Sequence, residues 1–405
     1  MKKIGILHGM ESTFPAAFVE RVNQLDGKKI IAEPVSIDRV VQGEATDYAV
    51  IIDRISQDVP FYKAYLKNAA LCGTAVINNP FWWSADEKFF NNCLAVKLGV
   101  PVPNTILMPS KERPTDTTET SFRNLKLPMA WGEMFNYVGF PAYMKPHSGG
   151  GWKSVYRIDD LDDLWHKHAE TEQLVMMLQS EVTFEDYYRC YCLGGKYVHI
   201  MPYEPRNPHH LRYATQPKTT GEAHKKLMAT ITDYVLRLNK ALGYDFNTVE
   251  FAVNNGIPYA IDFCNPAPDA DVHSVGQENF EWIVEHAAKM AIEKANEQQE
   301  GKTNLTWGSF VRTSAMNLPL ANLAKGDVEK VEKPKAAAPK KAEAKAEKPK
   351  VEKAAKAAAP KKAEAKAEKP KVEKAAKAAA PKKAEAKAKK PKAEKAAKVA
   401  AKSKK

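Results

Sequence analysis

The chain opens on a short apolar run, KKIGILHG, that stops at a glycine. The stretch MESTFPAAFVERVNQ after it spaces Phe14, Phe18 and Val22 four residues apart. The first pattern predicts a strand, and the second a helix capped by Ser12 or Thr13. KKIIAEPVSI and YAVIIDRI add two strands, PFYKAYLKNAALCG a helix and TAVINNP another strand. Such β-α-β alternation predicts a small parallel sheet with helices on both faces over residues 1–80. SADEKFFNNCLAVKLGVPVPNTILMP then reads as a helix followed by an extended segment, and the threonine-rich residues 111–126 as a loop. From Leu127 the order changes. A helix near 130–137 precedes strands in PAYMKPH and KSVYRI, a helix in DLDDLWHKHAET, and strands in QLVMMLQSE and YYRCYCLGGKYVHIMPYE. A helix at 221–242, the strand pair TVEFAVNNGIPYAIDFCNP and a helix from about 279 to 295 complete the pattern. Strands now outnumber crossovers, which predicts an α+β region, and its join to the first sheet predicts a cleft.

Charge divides the chain differently. Residues 330–405 hold 28 lysines and nine glutamates, a net of +19 against +12 for the whole, so the first 329 residues carry about −7. Three near copies of KVEKAAKAAAPKKAEAKAEKP, free of aromatic residues and broken by proline about every ten residues, predict a disordered basic tail. Its composition resembles the tails of linker histones. Dense lysine attracts phosphate backbones without reading sequence, so nucleic acid, ribosomes or another acidic surface are its candidate partners, and a solubilising appendage is the alternative. No run approaches the roughly 18 apolar residues of a membrane span, and none reads as a secretory segment. The expected location is cytoplasmic, with nucleoid or ribosome association through the tail. The five cysteines form no CxxC pair, and Cys190 and Cys192 are two apart on a strand, facing one core.

The candidate chemistry begins at FPAYMKPHSGGGWKSVY, where a strand lysine runs into three glycines. Glycines let backbone amides approach an anion and lysine supplies a point charge, which suits a cover over phosphates; a plain hairpin is the other reading. Glu250 and Asp262 lie on two apolar strands joined by NNG, with Asn265 just beyond. Such an oxygen-rich group suits Mg²⁺ bridging phosphates, although acids on an exposed hairpin face would look alike. His209 and His210 sit in a proline-broken loop that either covers the cleft or stays on the surface. Trp82 and Trp83 would form a substrate wall or interdomain core.

Residues 75–296 resemble the ATP-grasp superfamily of carboxylate-amine ligases through four motifs in order. These are INNP with Lys88 and LGVPVPNT, then FPAYMKPHSGGGWKSV, LVMMLQSEV, and LGYDFNTVEFAVNNGIPYAIDFCNPAP. The resemblance implies an ATP-grasp fold of mixed α/β and α+β class. It would comprise an N-terminal parallel-sheet domain over 1–80, the ATP-grasp domain over 81–310, a linker over 311–329 and the tail over 330–405. It implies ATP and Mg²⁺, with Lys88, Lys145, Ser148, Gly149, Gly150 and Gly151 on the phosphates. Gln179, Glu181 and Val182 would line the adenine, and Glu250, Asp262 and Asn265 would hold the metal. Lys145, Arg189 and Arg212 are the implied catalytic candidates, and Glu11, Ser12, Arg206 and His209 the substrate candidates. The pattern departs from the family in DFCNP, where Cys264 shares the asparagine position, and in EDYYRCYC, where Glu185 and Asp186 are displaced from the usual acid. The implied reaction joins a small carboxylate, an amino acid or peptide, to an amine through an acyl phosphate; related ligases are often dimers or tetramers, so a homo-oligomer is one candidate state and the oligomeric state stays open. A nucleotide-binding module whose tail performs the function is the alternative.

Overall fold

The computed structural model describes residues 1–81, 87–150 and 152–299. Gly151, Trp82, Trp83, the linker and the tail lie outside the described residues. Strands β1 (Lys2–Leu7), β2 (Ile30–Pro34), β3 (Tyr48–Asp53) and β4 (Ala75–Ile77) form a parallel sheet in the order β2-β1-β3-β4. β3 is buried along its whole length, as a parallel strand covered on both faces must be. Helix α1 (Thr13–Asp26) lays Phe14, Phe18 and Val22 on one face, and α2 (Pro60–Leu71) covers the other with Tyr65, Leu66, Ala69 and Ala70. Burying each phenylalanine contributes about 2–3 kcal/mol. The capping differs from expectation. Ser12 occupies the N-cap without a side-chain cap bond, and the Thr13 hydroxyl donates instead to Asp271 Oδ2 at 2.9 Å.

After α3 (Lys88–Lys97), a second sheet takes β5 (Thr105–Met108), β6 (Ala142–Pro146), β7 (Tyr156–Ile158) and β8 (Met176–Ser180) in the order β5-β8-β6-β7, all antiparallel. Helices α4 (Trp131–Val138) and α5 (Leu161–Ala169) back it, with Phe135, Val138 and Leu164 in one core with Met144, Met176 and Leu178. The Asp160 carboxylate caps α5 by accepting from the Asp163 N–H at 2.9 Å. The loop over 111–126 contains one short 3₁₀ turn at Glu119–Phe122.

The third sheet is built from β9 (Asp186–Leu193), β10 (Tyr197–Pro202), β11 (Phe246–Asn254) and β12 (Ile257–Asp262) in the order β10-β9-β11-β12. Positive φ at both Asn255 and Gly256 makes the tight turn between β11 and β12 that the Asn-Gly step predicts. Alternation sorts this sheet into two faces. Tyr188, Cys190 and Cys192 of β9, with Val249, Phe251 and Val253 of β11, pack on Leu227, Ile231, Val235 and Leu238 of α6 (Gly221–Leu242). Both cysteines thus enter one core. The opposite face carries Tyr187, Arg189 and Tyr191 of β9 with Phe246, Thr248 and Glu250 of β11, and it turns toward the first sheet.

Past β12 the chain forms the one-turn α7 (Val272–Val275) and the long α8 (Gln277–Glu297). Ile283, Val284, Ala287 and Ala291 of α8 join Phe14 and Phe18 of α1 and Tyr191 and Phe246 of the third sheet in a continuous core. Arg21 of α1 reinforces the contact by donating to Glu281 and Glu285 of α8 at 2.9 and 2.5 Å. The first and third sheets are therefore packed together, and their facing edges form the walls of a cleft. Among the described residues, no helix is long and apolar enough to cross a membrane.

Candidate functional site

Register sets the floor of the cleft. Arg189 on β9 pairs with Glu250 on β11, and Glu250 pairs with Asp262 on β12, so one cation and two acids lie in a row across three adjacent strands. A register slip of one residue on β11 would bury Val249 in the cleft and drive Glu250 into the α6 core. Two lysines meet this row from the other side. Lys145 emerges from the end of β6, with Nζ 3.5 Å from the Ile261 carbonyl, and Lys88 at the start of α3 places Nζ 3.3 Å from Asp262 Oδ1. The Lys88 N–H donates to the His147 carbonyl at 2.6 Å, which fixes the beginning of α3 against the strand that carries Lys145.

Burial decides the electrostatics. Removal from water and the neighbouring Lys88 charge lower the Lys145 ammonium from 10.5 to about 8, against the pull of Asp262 and Glu250. Burial also pushes the Glu250 carboxyl up, against the Arg189 charge. Asp262 is half-exposed at the mouth; the crowded cleft works against its charge, yet Lys88 and Lys145 hold its carboxyl below the ordinary range. Glu250 Oε2 accepts from the Tyr187 hydroxyl at 2.8 Å, while its Oε1 lies 3.7 Å from Arg189 Nε. Burial, then the Glu250 charge, keep Tyr187 protonated far above its ordinary pKa, so it serves as a fixed donor.

The row adjoins a cavity of about 540 Å³ whose walls come from both sheets: Met10, Glu11 and Arg54 on one side, Arg189, Asn265 and Asp269 on the other. Asn265 Oδ1 accepts from the Ala267 N–H at 3.2 Å, and its own N–H donates to Asn247 Oδ1 at 2.8 Å, so the turn after β12 is held while its amide lies at the cavity. Glu11 is engaged by protein. Arg54 donates to its two carboxylate oxygens at 2.9 and 2.6 Å. Ser12 is exposed beside it.

The remaining predicted residues are spread more widely. Ser148, Gly149 and Gly150 are exposed, and Gly149 has φ +91°, a backbone state that glycine takes readily. Gln179 is buried on the same sheet face as Lys145 and donates to Asn92 Oδ1 at 3.1 Å and Thr105 Oγ1 at 2.9 Å, which ties α3 to the second sheet. Glu181 accepts two 3.0 Å bonds from Arg157 across the sheet. Val182 packs in a small apolar cluster with Phe184, Tyr187, Tyr203 and Ala252 at the edge of the Glu250 site. In the 203–213 loop, Arg206 is exposed, bound to Glu204 and stacked over Phe184. Arg212 donates to the Tyr203 hydroxyl at 3.2 Å, and His209 is two-thirds exposed with Nε2 3.6 Å from Asp269. The structure thus gathers Lys88, Lys145, Arg189, Glu250 and Asp262, with Asn265 and Glu11 along the adjoining cavity, and leaves Arg206 and Ser12 on the outside.

Sequence reasoning passed over two residues here. Tyr187 was legible only as one position of an alternating strand. Arg54 had a clearer signal, since a charged residue directly after the apolar run YAVIID falls at the carboxyl end of a parallel strand, where such sheets place ligands.

A metal fits what is present. Glu250 and Asp262 offer two hard carboxylates side by side, and Asn265 an amide beyond them. Among the described residues no group of three or more His, Cys, Asp or Glu side chains gathers as a metal cage. One or two carboxylates completed by phosphate oxygens and water is the donor set that Mg²⁺ favours.

Compared by sequence, the chain matches no family model and no curated protein. Compared by structure, it resembles a RimK domain ATP-grasp protein from Sphaerobacter thermophilus DSM 20745, with a TM-score of 0.51 at 14% identity, covering 72% of this chain and 99% of that one. It also resembles the VanG D-Ala:D-Ser ligase from Enterococcus faecalis, with a TM-score of 0.51 at 13% identity over 73% and 99% of the two chains. At such identity the likeness is one of fold. The chain has the ATP-grasp fold, in which the parallel sheet precedes two antiparallel sheets that face each other across the lysines and acids.

Proposed function

We propose that this protein is an ATP- and Mg²⁺-dependent ligase that joins a carboxylate to an amine with release of ADP and phosphate. The observation that carries the reading is the meeting of Lys88 and Lys145 with the row Arg189, Glu250 and Asp262. Two buried-side cations facing two acids, with the exposed Gly149 and Gly150 of the phosphate-loop candidate shortly after Lys145 in the chain, are costly to assemble and suit a polyphosphate that arrives with a divalent cation. The structural neighbours include a D-Ala:D-Ser ligase, which joins amino acids, and this supports the same class of chemistry here.

In this reading Lys145 and Lys88 hold phosphate oxygens, and Gly149 to Gly151 with Ser148 close over them. Glu250, Asp262 and Asn265 would hold Mg²⁺, which neutralises charge on the phosphate oxygens when bound. A substrate carboxylate oxygen attacks the γ-phosphorus and the bond to the β-phosphate oxygen breaks, giving ADP and an acyl phosphate. The amine nitrogen then attacks the carbonyl carbon, the bond to the phosphate breaks, and the nitrogen gives up a proton as phosphate leaves. No protein nucleophile is needed; the work is alignment and charge neutralisation. Arg189, on the cavity wall beside Glu250, is placed to hold the carboxylate and then the acyl phosphate. Arg212 acts from the covering loop.

The cavity also supports a substrate class. With Arg54 and Glu11 neutralising each other, Arg189 lines the cavity together with Asp269 and Asp271, a pairing of signs that matches an amino acid or small peptide. The test is ADP and phosphate release by the full chain with ATP and Mg²⁺ across pools of amino acids and short peptides, with Lys145→Ala as the blank. Release that depends on one carboxylate-amine pair, with a condensed product by mass spectrometry, supports the ligase; no ATP binding at all refutes it.

A further inference from the structure

Arg54 is a buried charge outside the lysine-acid row, and the mechanism above does not use it. Its side chain is 2% exposed, with the guanidinium 5.1 Å from the ring centres of both Phe14 and Phe246. Nε and Nη2 grip Glu11 on the N-terminal wall, and Nη2 also donates to the Pro268 carbonyl at 2.6 Å on the opposite wall. Nη1 is buried with no acceptor among the described residues.

Each of these contacts has a distinct address. Phe14 belongs to α1, Phe246 to β11, Glu11 to the turn after β1, and Pro268 to the loop that runs from Asn265 to Asp271. That loop is tied to the same wall a second time, since Thr13 donates to Asp271 and the Val272 N–H donates to Thr13 Oγ1 at 3.3 Å. One fork of donors therefore spans the cavity. A buried ion pair adds little net stability over an apolar pair of the same shape, and one left with an unpaired donor adds less, so its best-attested use is to fix register.

We propose that Arg54 is a positioning residue of the substrate cleft: by holding Glu11 and the 265–271 loop at once, it sets the distance between the cavity walls opposite Arg189. The inference rests on the ligase reading for its kinetic consequence but not for its structural one. Lysine has the charge without the fork and can satisfy one wall only, whereas methionine keeps the packing between the two rings and ties neither wall.

The experiment compares full-length wild type with Arg54→Met, Arg54→Lys and the double variant Glu11→Gln with Arg54→Met. Melting temperature, KM for ATP, KM for the substrates found in the pools, and native-state amide exchange of residues 269–272 are measured for each. Expected are a KM for the carboxylate or amine substrate raised at least tenfold in Arg54→Met, a KM for ATP within twofold, and partial rescue in Arg54→Lys. The double variant should melt near the wild-type temperature and still show the raised KM. A merely structural arginine would lower kcat through lost folded protein and leave both KM values in place, which overturns the proposal. If Arg54→Met does not fold, Arg54→Lys carries the same comparison. If wild type turns over no substrate, the ligase reading is what fails, and exchange decides the latch. Faster exchange confined to 269–272 supports it; exchange unchanged there, or raised equally in β6 and β8, overturns it.

Discussion

Lys145 ties the phosphate reading to a titration. Burial, and then Lys88, bring its ammonium down to about 8, and only the protonated form attracts a triphosphate. In the unliganded protein about nine-tenths of the lysine is charged at pH 7 and about a tenth at pH 9. Apparent ATP affinity should therefore fall about tenfold between these values, or about 1.4 kcal/mol. Calorimetry in two buffers of different ionisation enthalpy would report the same event as proton uptake on binding near pH 8.5. Lys145→Arg, charged at every accessible pH, should flatten the profile. Wild-type affinity that stays constant from pH 7 to 9.5, or an equal slope in the arginine variant, would refute the assignment of this lysine to the phosphates.

The same lysine acts on folding with the opposite sign. The fold favours its neutral form, so between pH 8 and 10.5 the unfolded chain binds more protons and stability rises with pH; below pH 8 the penalty is present in full. The difference between 10.5 and about 8 corresponds to on the order of 3 kcal/mol. Lys145→Met keeps the packing of the stem and removes the charge, although Asp262 and Glu250 then lose a partner. Its urea midpoint at pH 7 without nucleotide should hold or rise while ATP binding disappears.

Other perturbations reach other parts of the structure. Tyr187→Phe removes the 2.8 Å donor to Glu250 and should lower stability by about 1–3 kcal/mol in urea, the cost of a buried acceptor losing a partner. Asn78 donates to the Phe246 carbonyl at 2.7 Å and accepts from the Asp245 and Phe246 N–H groups, so Asn78→Ala should destabilise by about 2–4 kcal/mol, and Asn78→Asp should not restore the lost donor. Lys88→Met releases Asp262 from its 3.3 Å pair and should strengthen Mn²⁺ binding in the absence of nucleotide, read by paramagnetic relaxation, while weakening ATP. Deleting residues 330–405 removes +19 of charge, so salt-dependent retention on immobilised nucleic acid should vanish, and retention that survives would refute the electrostatic account of the tail.

Period and punctuation made the elements legible. Leu227, Ile231, Val235 and Leu238 announced α6, and Asn255-Gly256 announced the hairpin that sets Glu250 beside Asp262. The position of Lys145 at the end of a strand was legible too, whereas the glycine run after it suited a plain hairpin as well as a phosphate cover. Partners across sheets were not. Nothing local in QLVMMLQSE says that Gln179 will spend its amide on Asn92 and Thr105, or that Glu181 will be claimed by Arg157 from a strand some twenty residues earlier. Glu11 illustrates the limit from the other side, since its residue type suited an amine but its geometry is fixed by Arg54, 43 positions away. Local pattern places a side chain on a face; only the packing of sheets decides what already occupies it.

The charges in the cleft make sense only together. Burial pushes Glu250 up and Lys145 down, so the site works against the charged form of each, while Lys88 and Asp262 neutralise one another at the mouth. A scaffold would be at least as stable with apolar residues at these positions. The strain is relieved by a ligand that brings negative charge to the lysines and positive charge to the acids in one arrival. A phosphate ester alone would satisfy Lys88 and Lys145 and leave Asp262 facing like charge; a divalent cation alone would do the reverse. On the proposed reading, a nucleotide triphosphate bound with its metal would meet both demands, and would break the Lys88–Asp262 pair by replacing each partner rather than by stranding one.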